Sequence, residues 1–230
     1  MKPMTEKHLA IFRRHMVEMI DVHFDLAAEE IGQPELSDGL RRALSEVPRH
    51  LFVPPSLMAA AYQDTPLPIG FDKTVSQPFI GALMIELLDL QPGERVLEIG
   101  TGLGFQAAVM TEMGAQVSSV EVVEEFAEAA MARFGALGYH VRVRVGDGSR
   151  GWEEHAPYDA ILVTAAAAAP PQALIDQLAP SGRMVLPVGS KDAAQQLTVV
   201  EKSSSGEVGT REVMPVVFTM LEVEQGAMGA

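Results

Sequence analysis

The chain has 230 residues, 47% of them apolar, which fits one large domain or one domain with an appendage and excludes extensive disorder. Seventeen basic against 31 acidic residues leave a formal charge of −14, which opposes nucleic acid as a partner, because such binders need a Lys/Arg surface to displace counterions. With no cysteine there is no disulfide, thiolate nucleophile or Cys-ligated metal.

Apolar residues at Ile11, Phe12, Met16, Met19, Ile20, Phe24, Ala27 and Ile31 fall close to the spacing of one helical face and predict an amphipathic helix from Thr5 to about Ile31. Glu18, Asp21 and Asp25 interrupt it, and no run of about 18 apolar residues follows anywhere, so neither a signal peptide nor a membrane span is expected and the chain reads as cytoplasmic. Packing of this helix within the chain, as a monomer, is the default. The alternative is a homo-oligomer formed through its Met16 and Met19 stripe. "GQPELSDG" breaks the helix, Ser37 or Asp38 can cap a short second one through Leu44, and the prolines of "EVPRHLFVPP" force extended or turn backbone.

"YQDTPLPIGFDKTVSQP" (62–78) carries three prolines and no sustained period, and predicts a long ordered loop of the kind that is often functional. A regular alternation follows: helix 79–90, strand 95–99, helix 104–113, strand 116–121, helix 123–136, strands 141–145 and 159–164, helix 171–178 and strand 183–188. Such alternation implies βαβ units and a doubly wound, mostly parallel sheet of the α/β class. Two alternating apolar runs, 196–201 and 212–223, flank "KSSSGEVGT" and predict a C-terminal antiparallel hairpin at the sheet edge. The organisation expected is an N-terminal helical cap with a covering loop over 1–78, joined to a Rossmann-like core with the hairpin over 79–230.

"VLEIGTGLGFQAAVM" (96–110) ends the first strand of that alternation in three glycines, Gly100, Gly102 and Gly104. The dinucleotide pattern G-x-G-x-x-G fails because residue 105 is Phe, and a P-loop is excluded because no Gly-Lys-Ser/Thr follows. What remains is an acid, Glu98, two positions before G-x-G-x-G, suited to a ligand with a cationic amino acid portion. Glu121 ends the next strand where an acid accepts hydrogen bonds from ribose hydroxyls, and Asp147 ends the third where it could accept from an adenine amino group. Three acids at three successive strand ends describe an S-adenosylmethionine pocket. Thr101, Val122, Gly148 and Thr164, beside these acids and at the end of the fourth strand, complete the candidate cofactor contacts.

The stretches "VPRHLFVPP", "AYQDTPLPIGFDKTVSQPFI", "GERVLEIGTGLGFQAA", "VGDGSRGWEEHAPYDAILVTAAA" and "PQALIDQLAPSGRMVLPVG" resemble, in order, those of the protein-L-isoaspartate (D-aspartate) O-methyltransferase family across roughly residues 47–189. The resemblance implies a class I S-adenosylmethionine-dependent methyltransferase fold and methyl transfer to the α-carboxylate of isoaspartyl residues in damaged proteins or peptides. It also implies that the Thr-x-Ser of the loop before the first strand, here Thr74 and Ser76, reaches the methyl-transfer centre, with Ser76 and Gln77 also covering the cofactor. The chain departs from the family pattern at Asp72 and Lys73, at Ala168, and at Val217 and Met220, which stand where the family's last strand carries Arg and Pro. That strand contributes to the substrate side, so a dedicated peptide-tailoring methyltransferase, or a cofactor-binding module without turnover, stands as the alternative.

The six histidines show no metal-ligand spacing, and no metal is expected. His15 and His23 are expected on a helix surface. Trp152 is expected to anchor its own loop, with packing against the adenine side as the other reading.

Overall fold

The structure is a computed structural model that describes residues 5–32, 35–191 and 193–222. Helix α1 spans Glu6–Ile31; the Thr5 amide donates to His8 Nδ1 at its start, and Gly32, at φ 74°, ends it with its own N–H on the Ala28 carbonyl. Of the break that follows, Gln33 and Pro34 lie outside the described residues. Ser37, not Asp38, caps α2 (Asp38–Glu46), its Oγ accepting from the Leu40 amide.

The single apolar face expected for α1 is in fact two. Met16, Ile20, Phe24 and Ile31 point inward and are buried, whereas Ile11, Phe12 and Met19 are exposed on the other side. His15 is exposed and His23 is half-buried at the surface, its Nδ1 2.9 Å from Asp64 Oδ2 and its ring edge-on to Phe79.

The segment expected as a loop folds into a hairpin, β1 (Leu67–Gly70) with β2 (Lys73–Val75). Its turn residues Phe71 and Asp72 have φ of 51° and 55°, the type I′ geometry whose twist matches paired strands. The usual signal for that turn is Asn-Gly, so a Phe-Asp pair concealed it.

The core runs α3 (Pro78–Glu86), β3 (Arg95–Ile99), α4 (Phe105–Glu112), β4 (Gln116–Glu121), α5 (Glu124–Leu137), β5 (Arg142–Val145), β6 (Tyr158–Val163), α6 (Gln172–Gln177), β7 (Leu178–Val188), β8 (Gln195–Lys202) and β9 (Val208–Val216). Seven strands form one sheet in the order β5-β4-β3-β6-β7-β8-β9, parallel through β7 and antiparallel over the last two pairs. The predicted hairpin is therefore present, but its second strand starts at Val208 and stops at Val216. Residues 217–222 leave β9, held by a bridge from Met220 to Ala166 and by the Gln195 side chain of β8, which accepts from the Phe218 amide (2.6 Å) and donates to its carbonyl (3.0 Å), and Val223 lies outside the described residues.

Alternate residues of the central strands feed two apolar clusters, as the period of two requires. Val96, Leu162 and Val185 join Ile20, Phe24, Leu40 and Leu83 on one face, so α1 and α2 share a core with the sheet. Leu97, Ile161 and Met184 join Leu174 on the other. Burial on both faces explains why "VLEI" and "AILV" are continuous apolar runs interrupted only by Glu98, each large side chain contributing about 1.5–3 kcal/mol. Among the described residues no helix is long and apolar enough to cross a membrane.

Candidate active site

Strand β3 lies mid-sheet, with β4 and β5 laid to one side and β6 and β7 to the other. The chain thus reverses direction between β3 and β6, and in open α/β sheets the crevice above such a point receives the ligand. A cavity of about 780 Å³ opens there.

Its floor is built from strand ends. Gly100, at φ 91°, sits so close to Thr164 that a Cβ would fall 2.4 Å from the threonine Oγ1. That hydroxyl donates to the carbonyls of Gly100 (2.9 Å) and Ile99 (3.1 Å), tying the ends of β3 and β6 together. Glu121 lines the cavity from the end of β4, its carboxylate fixed by the amides of Gly102 (2.7 Å) and Val123 (3.0 Å). The Gly102 amide, which a phosphate-binding loop would offer to its ligand, is committed to a carboxylate. The floor accordingly presents acceptors and negative charge, which suits ribose hydroxyls and repels phosphate.

Thr74, Ser76 and Gln77 form the roof, and Val122, Gly148 and Thr164 complete the predicted residues that line the cavity. Thr74 and Ser76 are two apart in extended chain and project to the same side. Glu98, Thr101, Gly104 and Asp147 do not reach the wall. Glu98 is fully buried beneath the loop, where its Oε2 accepts from Ser119 Oγ (2.5 Å) and Ser119 in turn meets Thr101 Oγ1 (2.6 Å). Burial pushes the Glu98 carboxyl up to about 8, opposed by the Ser119 hydrogen bond and reinforced by the charge of Glu121. It is therefore mostly neutral at pH 7, and its role as a direct negative contact gives way to one of supporting the loop from below. Asp147 is buried, caps the turn after β5 by accepting from the Ser149 amide, and lies 3.7 Å from Arg150. Gly104 packs against Phe134 at the start of α4.

Three residues outside the predicted set hold the roof in place. Arg49, buried, donates from Nε to the Ala61 carbonyl (2.8 Å) and from a terminal nitrogen to the Ser76 carbonyl (2.6 Å), with its guanidinium 4.6 Å from the Phe105 ring centre. Burial lowers its pKa to about 10, which leaves it charged at neutral pH. Asp64 accepts from the Gln77 side chain and from the Phe79 amide, both at 2.8 Å. Lys73 reaches Glu222 (2.5 Å), joining the hairpin to the segment after β9 that forms the opposite wall. Arg49 and Asp64 stand in "VPRHLF" and "YQDTP", but nothing in residue type separates them from ordinary turn and surface charges. Phe126 also lines the cavity, one helical turn into α5, and had no sequence signal.

Trp152 anchors its loop: its carbonyl accepts from Tyr158 Oη, its ring packs against His155 and Arg144, and it is absent from the cavity wall. Among the described residues no group of three or more His, Asp or Glu is placed to hold a metal ion.

A seven-stranded sheet wound both ways from a central strand, with a glycine loop and a ribose-type acid at its carboxyl edge, defines a class I methyltransferase fold. Residues 26–225 match the family pattern of Protein-L-isoaspartate(D-aspartate) O-methyltransferase, and the chain belongs to that family. It is 49% identical over 207 residues to protein-L-isoaspartate O-methyltransferase 2 of Polaromonas sp. strain JS666, covering 90% of this chain and 98% of the relative. It is 52% identical over 184 residues to protein-L-isoaspartate O-methyltransferase of Gloeobacter violaceus, covering 80% and 89%. A solved protein-L-isoaspartate O-methyltransferase superposes with a TM-score of 0.77 at 29% identity over 90% of this chain, which spans 65% of that longer chain.

Proposed function

We infer that this chain transfers the methyl group of S-adenosylmethionine to the free α-carboxylate of L-isoaspartyl residues in damaged proteins and peptides. The observation that carries this is the meeting, across one cavity, of the Glu121 and Gly100 floor with the Thr74 and Ser76 roof. Family membership supplies the reaction.

The residues present fit the cofactor. Gly100 leaves room beside Thr164, Glu121 offers a fixed carboxylate to the ribose hydroxyls, and Gly148, where a Cβ would fall 2.3 Å from Ile99, lets the turn after β5 close against the cavity floor. When bound, S-adenosylmethionine supplies an activated methyl on a sulfonium. An acceptor carboxylate with a pKa near 4 is already ionised at neutral pH, so no general base is required of the chain. Ser76 and Thr74 orient the acceptor by hydrogen bonding, and the hairpin excludes water. The methyl ester then loses methanol when the neighbouring backbone nitrogen attacks, and hydrolysis of the resulting succinimide returns some normal aspartate. A cytoplasmic workplace belongs to this reading, as do protein or peptide partners.

Val217, 94% exposed on the cavity wall where the family pattern has Arg, favours a second reading in which a dedicated peptide is the acceptor. A labelled methyl-transfer assay with matched isoaspartyl and aspartyl peptides separates the two. Transfer to the isoaspartyl peptide alone supports repair, transfer to the aspartyl peptide supports tailoring, and transfer to neither despite cofactor binding removes the repair reading.

A further inference from the structure

The last ladder pair of β8 with β9 is Gln195 with Val216, yet the grip of β8 on the chain reaches beyond it. The Gln195 side chain is buried; it accepts from the Phe218 amide at 2.6 Å and donates to the Phe218 carbonyl at 3.0 Å, and its Nε2 also lies 3.9 Å from Met220 Sδ. One side-chain amide thus takes both polar groups of one backbone residue, the exchange that a residue of a neighbouring strand would make. A buried amide needs partners at both ends, and this arrangement leaves none of these groups unpaired. Gly189 makes room for it, since a Cβ there would fall 3.1 Å from Gln195 Cγ.

What the amide holds is a wall of the cavity, to which Val217, Phe218, Thr219 and Met220 all belong. Farther along, the Thr219 carbonyl accepts from the Ala166 amide and the Leu221 amide donates to the Ala166 carbonyl, both at 2.8 Å, while Glu222 is tied to Lys73. Gln195 supplies the hold at the near end, between those contacts and β9. The wall stands on the β6 side of β3, because Ala166 follows β6, whereas Glu121 ends β4 on the other side. With the ribose end of the cofactor at Glu121, the wall is left to the acceptor. Gln195 itself does not line the cavity. A wall released from it would take many conformations, and acceptor binding would then have to order it, which weakens binding without slowing the bound complex.

We propose that Gln195 is a positioning residue for methyl transfer, holding residues 217–220 as the surface on which the acceptor peptide rests. This rests on the isoaspartyl reading above. Gln195→Met keeps the length of the side chain and removes both hydrogen bonds, and the full chain is compared with the wild type by amide hydrogen exchange and by kinetics with the isoaspartyl peptide. Exchange at Phe218 is expected to rise about tenfold or more, while Val199, paired on both sides in β8, keeps its protection. KM for the peptide is expected to rise about tenfold, with kcat and S-adenosylhomocysteine affinity within about threefold. Loosening of the whole fold would instead lower kcat at unchanged KM, because fewer molecules would be active. Val217→Asp, at a position 94% exposed and so without cost to the core, tests the wall directly and is expected to raise the same KM. Unchanged exchange at Phe218 overturns the hold. Faster exchange with an unchanged peptide KM, or a Val217→Asp chain with the wild-type KM, overturns the role of the wall in acceptor binding. A wild type that methylates no isoaspartyl peptide overturns the repair reading, and this inference with it.

Discussion

The guanidinium of Arg49 donates to the backbone carbonyl of Ser76 at 2.6 Å, so a buried cation from the turn after α2 sets where the active-site hairpin rejoins the core. The same group satisfies the Ala61 carbonyl, and two planar donors at once are what a lysine lacks. Arg49→Lys is therefore expected to lower turnover while leaving most of the stability. Arg49→Ala, which orphans both carbonyls, is expected to cost on the order of 3 kcal/mol of unfolding free energy. Urea denaturation beside a methyl-transfer assay measures both.

Ser76→Ala removes a hydroxyl from the roof without disturbing the carbonyl that Arg49 holds. Turnover should fall steeply while cofactor affinity stays within about tenfold, roughly 1.4 kcal/mol. Isothermal titration with S-adenosylhomocysteine gives the affinity, and a variant with full activity would remove Ser76 from the mechanism.

Glu98 makes stability depend on pH. Its folded pKa, raised to about 8 by burial, lies above the ordinary value of 4.5, so between these values the folded chain holds a proton that the unfolded chain releases. Stability from this group is complete below about 4.5, declines as pH rises, and levels off above about 8. Glu98→Gln keeps the shape without the titration. Its stability relative to wild type is expected to grow by a few kcal/mol between pH 5 and pH 8, measured by denaturant unfolding across the series. A constant difference would show that Glu98 is ionised throughout.

Gly100→Ala meets two obstacles, a φ of 91° and the Thr164 hydroxyl 2.4 Å from the new methyl group. We expect a loss of about 1–3 kcal/mol in stability and a marked loss of cofactor affinity. Pairing it with Thr164→Ala should recover the part due to the clash and leave the backbone part. Equal losses in the single and double variants would place the whole cost in the backbone.

The ion pair of Lys73 with Glu222 is half in solvent and should contribute less than about 1 kcal/mol to folding. It joins the roof to the far wall, however. Lys73→Gln is expected to change KM for peptide more than kcat, and added salt should produce the same shift in the wild type alone.

Elements with a strong period were legible from residues alone. The strands β3, β4 and β6 lie where the apolar runs put them, and Glu121, Gly100 and Gly102 line the cavity while Gly104 packs against Phe134 instead. The hairpin at 67–75 was not legible, because its turn is Phe-Asp and its strands are three and four residues long, too short for alternation to register. Nor was the split of α1, since Ile11, Phe12 and Met19 are apolar like Met16 and Ile20 and only packing shows which face is covered.

By itself the sequence determined the order of strands and helices, the loop at residues 100–104 and the acid at 121. These follow from local periodicity and from backbone angles that glycine alone adopts easily, and both are written within a few neighbouring residues. Tertiary structure decided that Glu98 is buried beneath the loop against Ser119, that Arg49 and Asp64 hold Ser76 and Gln77, and that Lys73 spans to Glu222. Each of those depends on groups that are 13 to 149 residues apart in the chain. Burial and ion pairing are properties of the folded environment, and a residue's type does not carry them.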